Sequence, residues 1–265
     1  MTPDLAAHTE GSVRWLVLDR PEAGNSVTRA MQRSLIEELK RASDDPEIRA
    51  VVLTGRGDRH FCTGPNLRDP GMQPNRDRVA GDAARILRSG SQAVVSALLD
   101  CEKPVLCALN GVAAGVGASM VLACDLIVAV ESARLIELFV RRGLAPDGGA
   151  AYLLARKVPF NIAKQVLLFG EELSAPEAHR IGLFNKVVPD GGLEDAATAW
   201  ARRIAAGPTR ALAATKAMLN QALDVDRDTA FRTEALLVEQ IAGTDDVAEG
   251  MAAFGERRDP DFRGR

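Results

Sequence analysis

Histidine is scarce in this chain, which contains only His8, His60 and His179 among its 265 residues. These three residues lie far apart in the sequence. Neither a zinc site nor a Ser-His-Asp triad is therefore expected, and the sequence predicts no metal centre.

Cysteine is also sparse, and the four cysteines form no C-x-x-C pair. Each lies in or beside an apolar run, which is typical of buried free thiols in a reducing compartment. They are Cys62, Cys101, Cys107 and Cys124.

The chain has no excess of basic residues, since 33 Lys and Arg stand against 36 Asp and Glu, with a formal net charge of −3. A nucleic-acid-binding protein normally has a basic face, so no nucleic-acid partner is expected. Residues 1–10 lack the cationic start and apolar run of a secretory signal. No run of about 18 apolar residues occurs, so no transmembrane helix is expected. We predict a cytoplasmic protein without a membrane partner.

Short apolar runs alternate with helical patterns over the first half of the chain. Continuous apolar runs are typical of strands covered on both faces, and their alternation with helices predicts an α/β fold. Glycine and proline crowd residues 55–71, which predicts a loop. The predicted strands are 13–19, 50–54, 104–109 and 126–130, and the predicted helices are 28–42, 82–99 and 115–124.

Helical patterns dominate after Gly148. Ser174 and Glu177 have the spacing of a capping box, with a proline between them near the start of the predicted helix. Amphipathic spacing predicts three more helices at about 194–206, 208–223 and 229–242. We therefore predict an α/β core over residues 1–190 and a helical C-terminal extension over residues 191–265.

Five segments of the chain form an ordered set of motifs. They are Asp19-Arg20-Pro21-Glu22-Ala23-Gly24-Asn25-Ser26, Phe61-Cys62-Thr63-Gly64-Pro65-Asn66-Leu67, the run from Lys103-Pro104 to Gly117, Gly143-Leu144-Ala145-Pro146-Asp147-Gly148-Gly149, and a tail from Thr244 to Phe262. In order and separation they resemble the motifs of the enoyl-CoA hydratase/isomerase (crotonase) family. The resemblance covers nearly the whole chain.

The resemblance implies a spiral of ββα units followed by a helical region that trimerises, often as a dimer of trimers. It also implies an acyl-CoA thioester as substrate, bound in a cleft, so that no separate cofactor is expected. By resemblance, Ala23, Thr63, Gly64, Asn66 and Leu67 would contact CoA.

The cleft would also include Gly115, and the resemblance places Phe254 near the acyl or pantetheine region. The alternative for Phe254 is packing in the core.

In the family, two backbone N–H groups bind the thioester oxygen and stabilise the enolate that forms there. The corresponding positions here are Pro65 and Val116. Proline has no N–H, so either Gly64 or Asn66 supplies the first donor, or only one donor remains. Val116 keeps its N–H, but a positive φ at this position would strain a valine.

Hydration in the family uses two glutamates, one to activate water and one to protonate C2. The positions that match them are Ser119 and Phe139, and neither side chain is a strong base. Glu137 lies two residues before Phe139. In a strand it would share a face with Phe139, so only a local bulge would bring it into the cleft. Efficient hydration is therefore not expected.

Asp147 is the remaining candidate for acid–base catalysis. It lies where some isomerases of the family carry their single acid–base group, and where the family's aromatic-ring dehalogenases carry a nucleophile. The alternative is a structural role, because Pro-Asp-Gly is common in turns and Asp147 would then cap the next helix.

The sequence thus predicts an isomerase-like enzyme that moves a proton on an enoyl-CoA through Asp147. Two alternatives remain open. One is weak hydration or thioester hydrolysis by Asp147 with water, and the other is a degenerate acyl-CoA binder without catalysis.

Overall fold

The computed structural model describes residues 4–66, 68 and 79–265. Ten strands lie in two sheets within this part of the chain. They are β1 (Leu5–Glu10), β2 (Val13–Leu18), β3 (Ala50–Gly55), β4 (His60–Cys62), β5 (Val105–Leu109), β6 (Val112–Ala114), β7 (Leu126–Val130), β8 (Arg134–Ile136), β9 (Glu172–Ser174) and β10 (Lys186–Val188).

The helices surround these sheets and continue beyond the last strand. They are α1 (Arg29–Asp44), α2 (Asp82–Ser89), α3 (Ser91–Asp100), α4 (Val116–Ala123), α5 (Ala150–Lys157), α6 (Phe160–Phe169), α7 (Ala175–Arg180), α8 (Leu193–Ala205), α9 (Thr209–Gln221), α10 (Arg227–Ala242) and α11 (Asp245–Glu256). Two short 3₁₀ helices, Pro21–Ala23 and Leu138–Arg142, lie in the connections.

The larger sheet has the order β1-β2-β3-β5-β7-β10, and only β1 runs antiparallel to its neighbour. The smaller sheet has the order β4-β6-β8-β9, in which β8 and β9 are antiparallel. Each passage from β3 to β4, β5 to β6 and β7 to β8 moves the chain from the larger to the smaller sheet. This repeated strand–strand–helix pattern confirms the predicted α/β fold.

The core lies on both faces of the larger sheet because alternate residues of its strands point to opposite sides. Leu16 and Leu53 pack with α1, α3 and α4 on one face. Trp15 and Val52 pack against the alanines of α8 on the other face. Helix α8 thus covers the sheet although it begins beyond residue 190, and the predicted division at that residue remains a prediction.

Two predicted elements differ from the structure, and each has a local cause. Gly90 breaks the helix predicted over 82–99 into α2 and α3, because its φ of −113° and ψ of −107° are not helical. The predicted loop over 55–71 contains β4, whose three residues are too few to show a period. The predicted capping box is confirmed, since both reciprocal hydrogen bonds between Ser174 and Glu177 are present.

Lys216 links α9 to the core through an ion pair and a hydrogen bond. Its Nζ lies 2.8 Å from the carboxylate of Asp125 and donates to the carbonyl oxygen of Leu98 at 3.0 Å. The chain from the end of α9 onward exposes several large apolar side chains. These are Leu219, Leu223, Phe231, Leu236, Val238, Met251 and Phe254.

Candidate active site

Asn25 fixes the first motif against the loop that leads into β4. It is fully buried and has a φ of 51°, a conformation that asparagine tolerates better than most residues. Its side-chain oxygen accepts from the N–H of Arg20 at 2.9 Å. Its amide nitrogen donates to the carbonyl oxygens of Arg56 and His60 at 3.0 and 2.7 Å. The turn that carries Ala23 is therefore held rigidly beside β4.

The segments predicted to contact CoA lie side by side. The N–H of Thr63 donates to the carbonyl oxygen of Gly24 at 3.0 Å, and its hydroxyl reaches the same oxygen at 3.1 Å. Ala23, next to Gly24, is half-buried, whereas Thr63 is exposed. Leu67, which was predicted to join this group, lies outside the described residues.

The loop after β4 is paired with Val27, which lies two residues before the start of α1. Val27 donates its N–H to the carbonyl oxygen of Gly64 at 2.8 Å and accepts from the N–H of Asn66 at 2.9 Å. This bridge occupies the N–H of Asn66, and Pro65 has none. Within the described ranges, the N–H of Gly64 donates to no other group. Of the two replacement donors considered for this loop, only Gly64 remains available.

The second donor position opens helix α4. Val116 is the first residue of α4, so its N–H has no partner within the helix. The strain expected at Val116 is wrong, because the residue with positive φ (55°) is Gly115. A Cβ at Gly117 would collide with the carbonyl oxygen of Cys62, and one at Gly64 would lie 3.3 Å from the backbone of Ala114. Small residues thus allow the loop and the start of α4 to touch.

Ser119 and Phe139 both lie near the start of α4. Ser119 is fully buried, and its hydroxyl donates to the backbone oxygen of Asp147 at 3.4 Å. Phe139 is buried, and its Cζ would lie 3.8 Å from a Cβ at Gly115. A hydroxyl group and a phenyl ring therefore occupy the two positions, and neither group can act as a carboxylate base.

Asp147 lies in a turn that continues through Gly148 and Gly149, whose φ angles are 59° and 81°. Helix α5 begins at Ala150, and no side chain caps it. The N–H of Ala150 is satisfied instead by the backbone oxygen of Asp147 at 3.1 Å. The capping role considered for the Asp147 carboxylate is therefore wrong. Its side chain is half-buried.

Burial raises the pKa of Asp147 above its ordinary value, and a hydrogen bond with the side chain of Ser91 partly opposes this shift. Ser91 is the first residue of α3 and is itself buried. A Cβ at Gly148 would lie 3.5 Å from the Cβ of Ser91 and 3.1 Å from the Ser119 hydroxyl. The Asp147 turn is therefore packed between α3 and α4.

The chain matches the family model described as enoyl-CoA hydratase/isomerase over residues 8–265. It is 37% identical over 261 residues to 1,2-epoxyphenylacetyl-CoA isomerase of Escherichia coli strain K12, covering 98% of each chain. It is also 37% identical over 254 residues to (E)-benzylidenesuccinyl-CoA hydratase of Thauera aromatica, covering 95% of this chain and 96% of the relative.

The chain belongs to the enoyl-CoA hydratase/isomerase family. A crystal structure of an enoyl-CoA hydratase from Polaromonas sp. JS666 has the same fold, with a TM-score of 0.89 and 33% identity. That match covers 97% of this chain and 99% of the other. The predicted crotonase-like fold is therefore confirmed, and the protein is an acyl-CoA enzyme of this family.

The hydratase/isomerase family resemblance did not reveal how Glu137 is placed. Strand β8 ends at Ile136, and Glu137 precedes the 3₁₀ helix Leu138–Arg142 with a φ of −96° and a ψ of 70°. The expectation of an extended residue that needs a bulge is therefore wrong. Glu137 is fully buried, and neither carboxyl oxygen has a hydrogen-bond partner in the described part of the chain.

Burial raises the pKa of Glu137 to about 9, and the charge of Asp147 adds to this shift. A glutamate between Ile136 and Leu138 in an apolar stretch was a usable signal for a buried carboxyl group. Ser91 gave no comparable signal, because serine is common near helix starts. Its role depends on the packing of α3 against the Asp147 turn.

Phe254 is 83% exposed on α11, so core packing is wrong for this side chain. It also does not line a cleft within the single chain, as its exposure shows. Its assignment to the acyl region stays a prediction that requires a second copy of the chain.

Among the described residues, no group of three or more His, Cys, Asp or Glu side chains is arranged to hold a metal ion. In the same part of the chain, every helix is too short or too polar to cross a membrane.

Proposed function

We propose that this family member is an enoyl-CoA isomerase-like enzyme that shifts a double bond by moving one proton with Asp147. The observation that carries this proposal is the placement of the Asp147 carboxylate. It caps no helix, it is half-buried between α3 and α4, and its pKa is raised toward the range of a working base.

The reaction needs only one carboxylate. Asp147 takes a proton from C2 of a 3-enoyl thioester, and the electron pair of that C–H bond delocalises onto the thioester oxygen as an enolate. The protonated Asp147 then delivers the same proton to C4, which yields the conjugated 2-enoyl thioester. No cofactor is needed, because proton and electron pair both remain within the enzyme–substrate complex.

Hydration is disfavoured because water needs its own acid–base group. The two positions that match the family's glutamates hold the hydroxyl of Ser119 and the ring of Phe139. Of the two relatives that are 37% identical, one is named an isomerase and the other a hydratase, so the assignment depends on the residues of this chain.

Two backbone N–H groups are proposed to bind the enolate oxygen. One is that of Val116 at the start of α4, where the helix dipole also favours negative charge. The other is that of Gly64, since Pro65 has no N–H and that of Asn66 is used by Val27. We propose that the adjoining residues Ala23, Thr63 and Asn66 contact CoA.

The working form is proposed to be a trimer or a dimer of trimers. The exposed apolar side chains of α9, α10 and α11 form a surface that a single chain leaves uncovered. Phe254 belongs to this surface, so a neighbouring copy would receive or cover it.

The proposal is tested with 3-hexenoyl-CoA and the variant Asp147→Asn. Conversion to the 2-enoyl product is followed by absorbance of the conjugated thioester. The wild type should turn over, and Asp147→Asn should lose at least about a hundredfold in kcat, because a general acid–base group contributes that much. Binding of a saturated acyl-CoA, measured by calorimetry, should be unchanged.

Asp58→Asn is the matched control, since Asp58 is exposed on a loop. Full turnover by Asp147→Asn would overturn the proposal. Binding without any turnover by the wild type would instead favour the degenerate binder. Release of free CoA or a 3-hydroxyacyl product would favour hydrolysis or hydration.

A further inference from the structure

Glu137 is a buried carboxyl group that the proposed reaction does not use. Its side chain is fully enclosed, and both oxygens lack a hydrogen-bond partner among the described residues. Buried polar groups are normally paired, since an unpaired one costs folding free energy. A leucine or methionine at position 137 would be buried without this cost in folding free energy. We therefore expect a functional role for the Glu137 carboxyl group.

The segment that contains Glu137 contacts the start of α4, where Val116 lies. The residue before it, Ile136, accepts the N–H of Gly115, which leads directly into the Val116 donor position. Two residues after it, Phe139 packs toward Gly115. Glu137 thus belongs to the segment that supports the start of α4.

After burial, the negative charge of Asp147 is the second cause of the raised pKa of Glu137. Arg141 and Arg142 follow on the same 3₁₀ helix and are exposed. Gly170, the residue after α6, lies beside the backbone oxygen of Glu137 and carries no charge.

Two carboxyl groups that interact in a desolvated site do not both ionise at neutral pH. Asp147 is the more exposed of the two and has a hydrogen bond with Ser91, so it loses its proton first. Glu137 has no such partner and remains protonated. Environments that separate two carboxyl groups in this way are typical of acid–base sites.

We propose that Glu137 is a positioning residue for Asp147: it keeps its proton during turnover, so that the pair carries one negative charge. This inference rests on the proposed function of Asp147. With Glu137 neutral, the enolate faces a protonated Asp147 and an uncharged Glu137. An ionised Glu137 would oppose the enolate in a medium where charges are poorly screened.

The first test is the pH dependence of kcat/KM for 3-hexenoyl-CoA. The wild type should show two limbs, an acidic one from Asp147 and an alkaline one where Glu137 ionises and activity falls about tenfold per pH unit. E137Q keeps the shape and neutrality of the protonated side chain. It should therefore retain the acidic limb and lose the alkaline limb. E171Q, at an exposed position, should behave as the wild type.

An E137Q profile that still falls at alkaline pH as the wild type does would overturn the inference and leave the role of Asp147 intact. Loss of all activity in E137Q, with correct folding and acyl-CoA binding, would also overturn it. That result would mean that Glu137 itself transfers a proton.

The second test does not depend on activity. Infrared difference spectra should show the carbonyl band of a protonated carboxyl group at pH 7 in the wild type and not in E137Q. In D147N the opposing charge is gone, so this band should disappear at a lower pH than in the wild type. Disappearance at the same pH in both proteins would refute the coupling between the two carboxyl groups. Full turnover by D147N would instead refute the proposed function.

Discussion

Ser91 adjusts the base of the proposed reaction through one hydrogen bond. That bond stabilises the ionised Asp147 and lowers its pKa, whereas burial raises it. The base works only when ionised, so kcat/KM is lost as the pH falls through the pKa of Asp147.

We expect Ser91→Ala to move the acidic limb of the kcat/KM profile to higher pH, because the opposing hydrogen bond is removed. The shift should be about half a pH unit or more, as the loss of a hydrogen bond to a charged group implies. Ser96→Ala, on the exposed side of the same helix, is the control. An unchanged limb in Ser91→Ala would show that its hydroxyl does not interact with the carboxylate in solution.

Glu137 makes stability depend on pH in a direction unusual for a glutamate. Its pKa rises from 4.5 to about 9 on folding, so the folded chain holds a proton that the unfolded chain has lost in this window. The free energy of unfolding therefore decreases as the pH rises from 4.5 to about 9. Each unit of pKa difference corresponds to about 1.4 kcal/mol.

E137Q should remove this decrease in the free energy of unfolding, because glutamine does not ionise. The free energy of unfolding of E137Q minus that of the wild type should grow by at least about 1 kcal/mol between pH 4.5 and 8, measured by urea unfolding. E171Q should show no such trend. A constant difference for E137Q across this range would mean that the side chain is hydrated and ionises normally.

The loop after β4 and the start of α4 form one unit, because a glycine allows them to touch. A Cβ at Gly117 would collide with the carbonyl oxygen of Cys62 and displace the loop that carries Gly64. Gly117→Ala should therefore lower both Tm and kcat, the latter by at least about tenfold if one oxyanion donor moves away.

Gly255→Ala is the matched control for this substitution. Gly255 lies in α11 with open space around its Cβ position, so alanine should raise the stability slightly through its higher helix propensity. Gly117→Ala with wild-type Tm and kcat would show that the contact between loop and helix is loose.

Pro65 removes a donor without disturbing its neighbours, since Gly64 and Asn66 make the bridge to Val27. Pro65→Ala should keep that bridge and add an N–H at the family's usual position. We expect kcat to rise up to about tenfold, less than a full oxyanion donor supplies, because the proposed donor Gly64 would already bind the oxygen. A fall in kcat with unchanged acyl-CoA binding would indicate that the rigid proline holds Gly64 in place.

The elements that the sequence predicted best are those with long, regular patterns. Helix α1 and strand β7 lie within about two residues of their predicted bounds. The segment predicted as one helix over 82–99 is two helices, because a single Gly90 interrupts a pattern that is otherwise helical. Glu137 was misplaced because its conformation depends on where β8 stops, which hydrogen bonds between distant strands decide. The pairing of Ser91 with Asp147 likewise depends on contacts between segments far apart in the chain.

The C-terminal helices expose apolar surface that the core cannot cover. Lys216 fixes α9 to Asp125, so this surface projects in a defined direction. We expect a trimer or a multiple of it, with Leu236 on α10 (67% exposed) inside the contact.

Leu236→Glu should shift the assembly to smaller species, as measured by light scattering at micromolar concentration, because a buried charge opposes association. Thr9→Glu adds the same charge on the exposed strand β1 and should leave the mass unchanged. A wild-type protein that is a clean monomer would contradict the expectation.

The reaction rates of the four free thiols with an alkylating reagent would report how often different parts of the protein open. All four are buried, and burial raises the pKa of Cys62 to about 12, so a thiol reagent must wait for the structure to open. Cys62 is the last residue of β4, next to the loop of the proposed oxyanion site, whereas Cys107 and Cys124 lie together in the core. The rate at which each thiol is alkylated therefore separates local breathing of the catalytic loop from unfolding of the sheet.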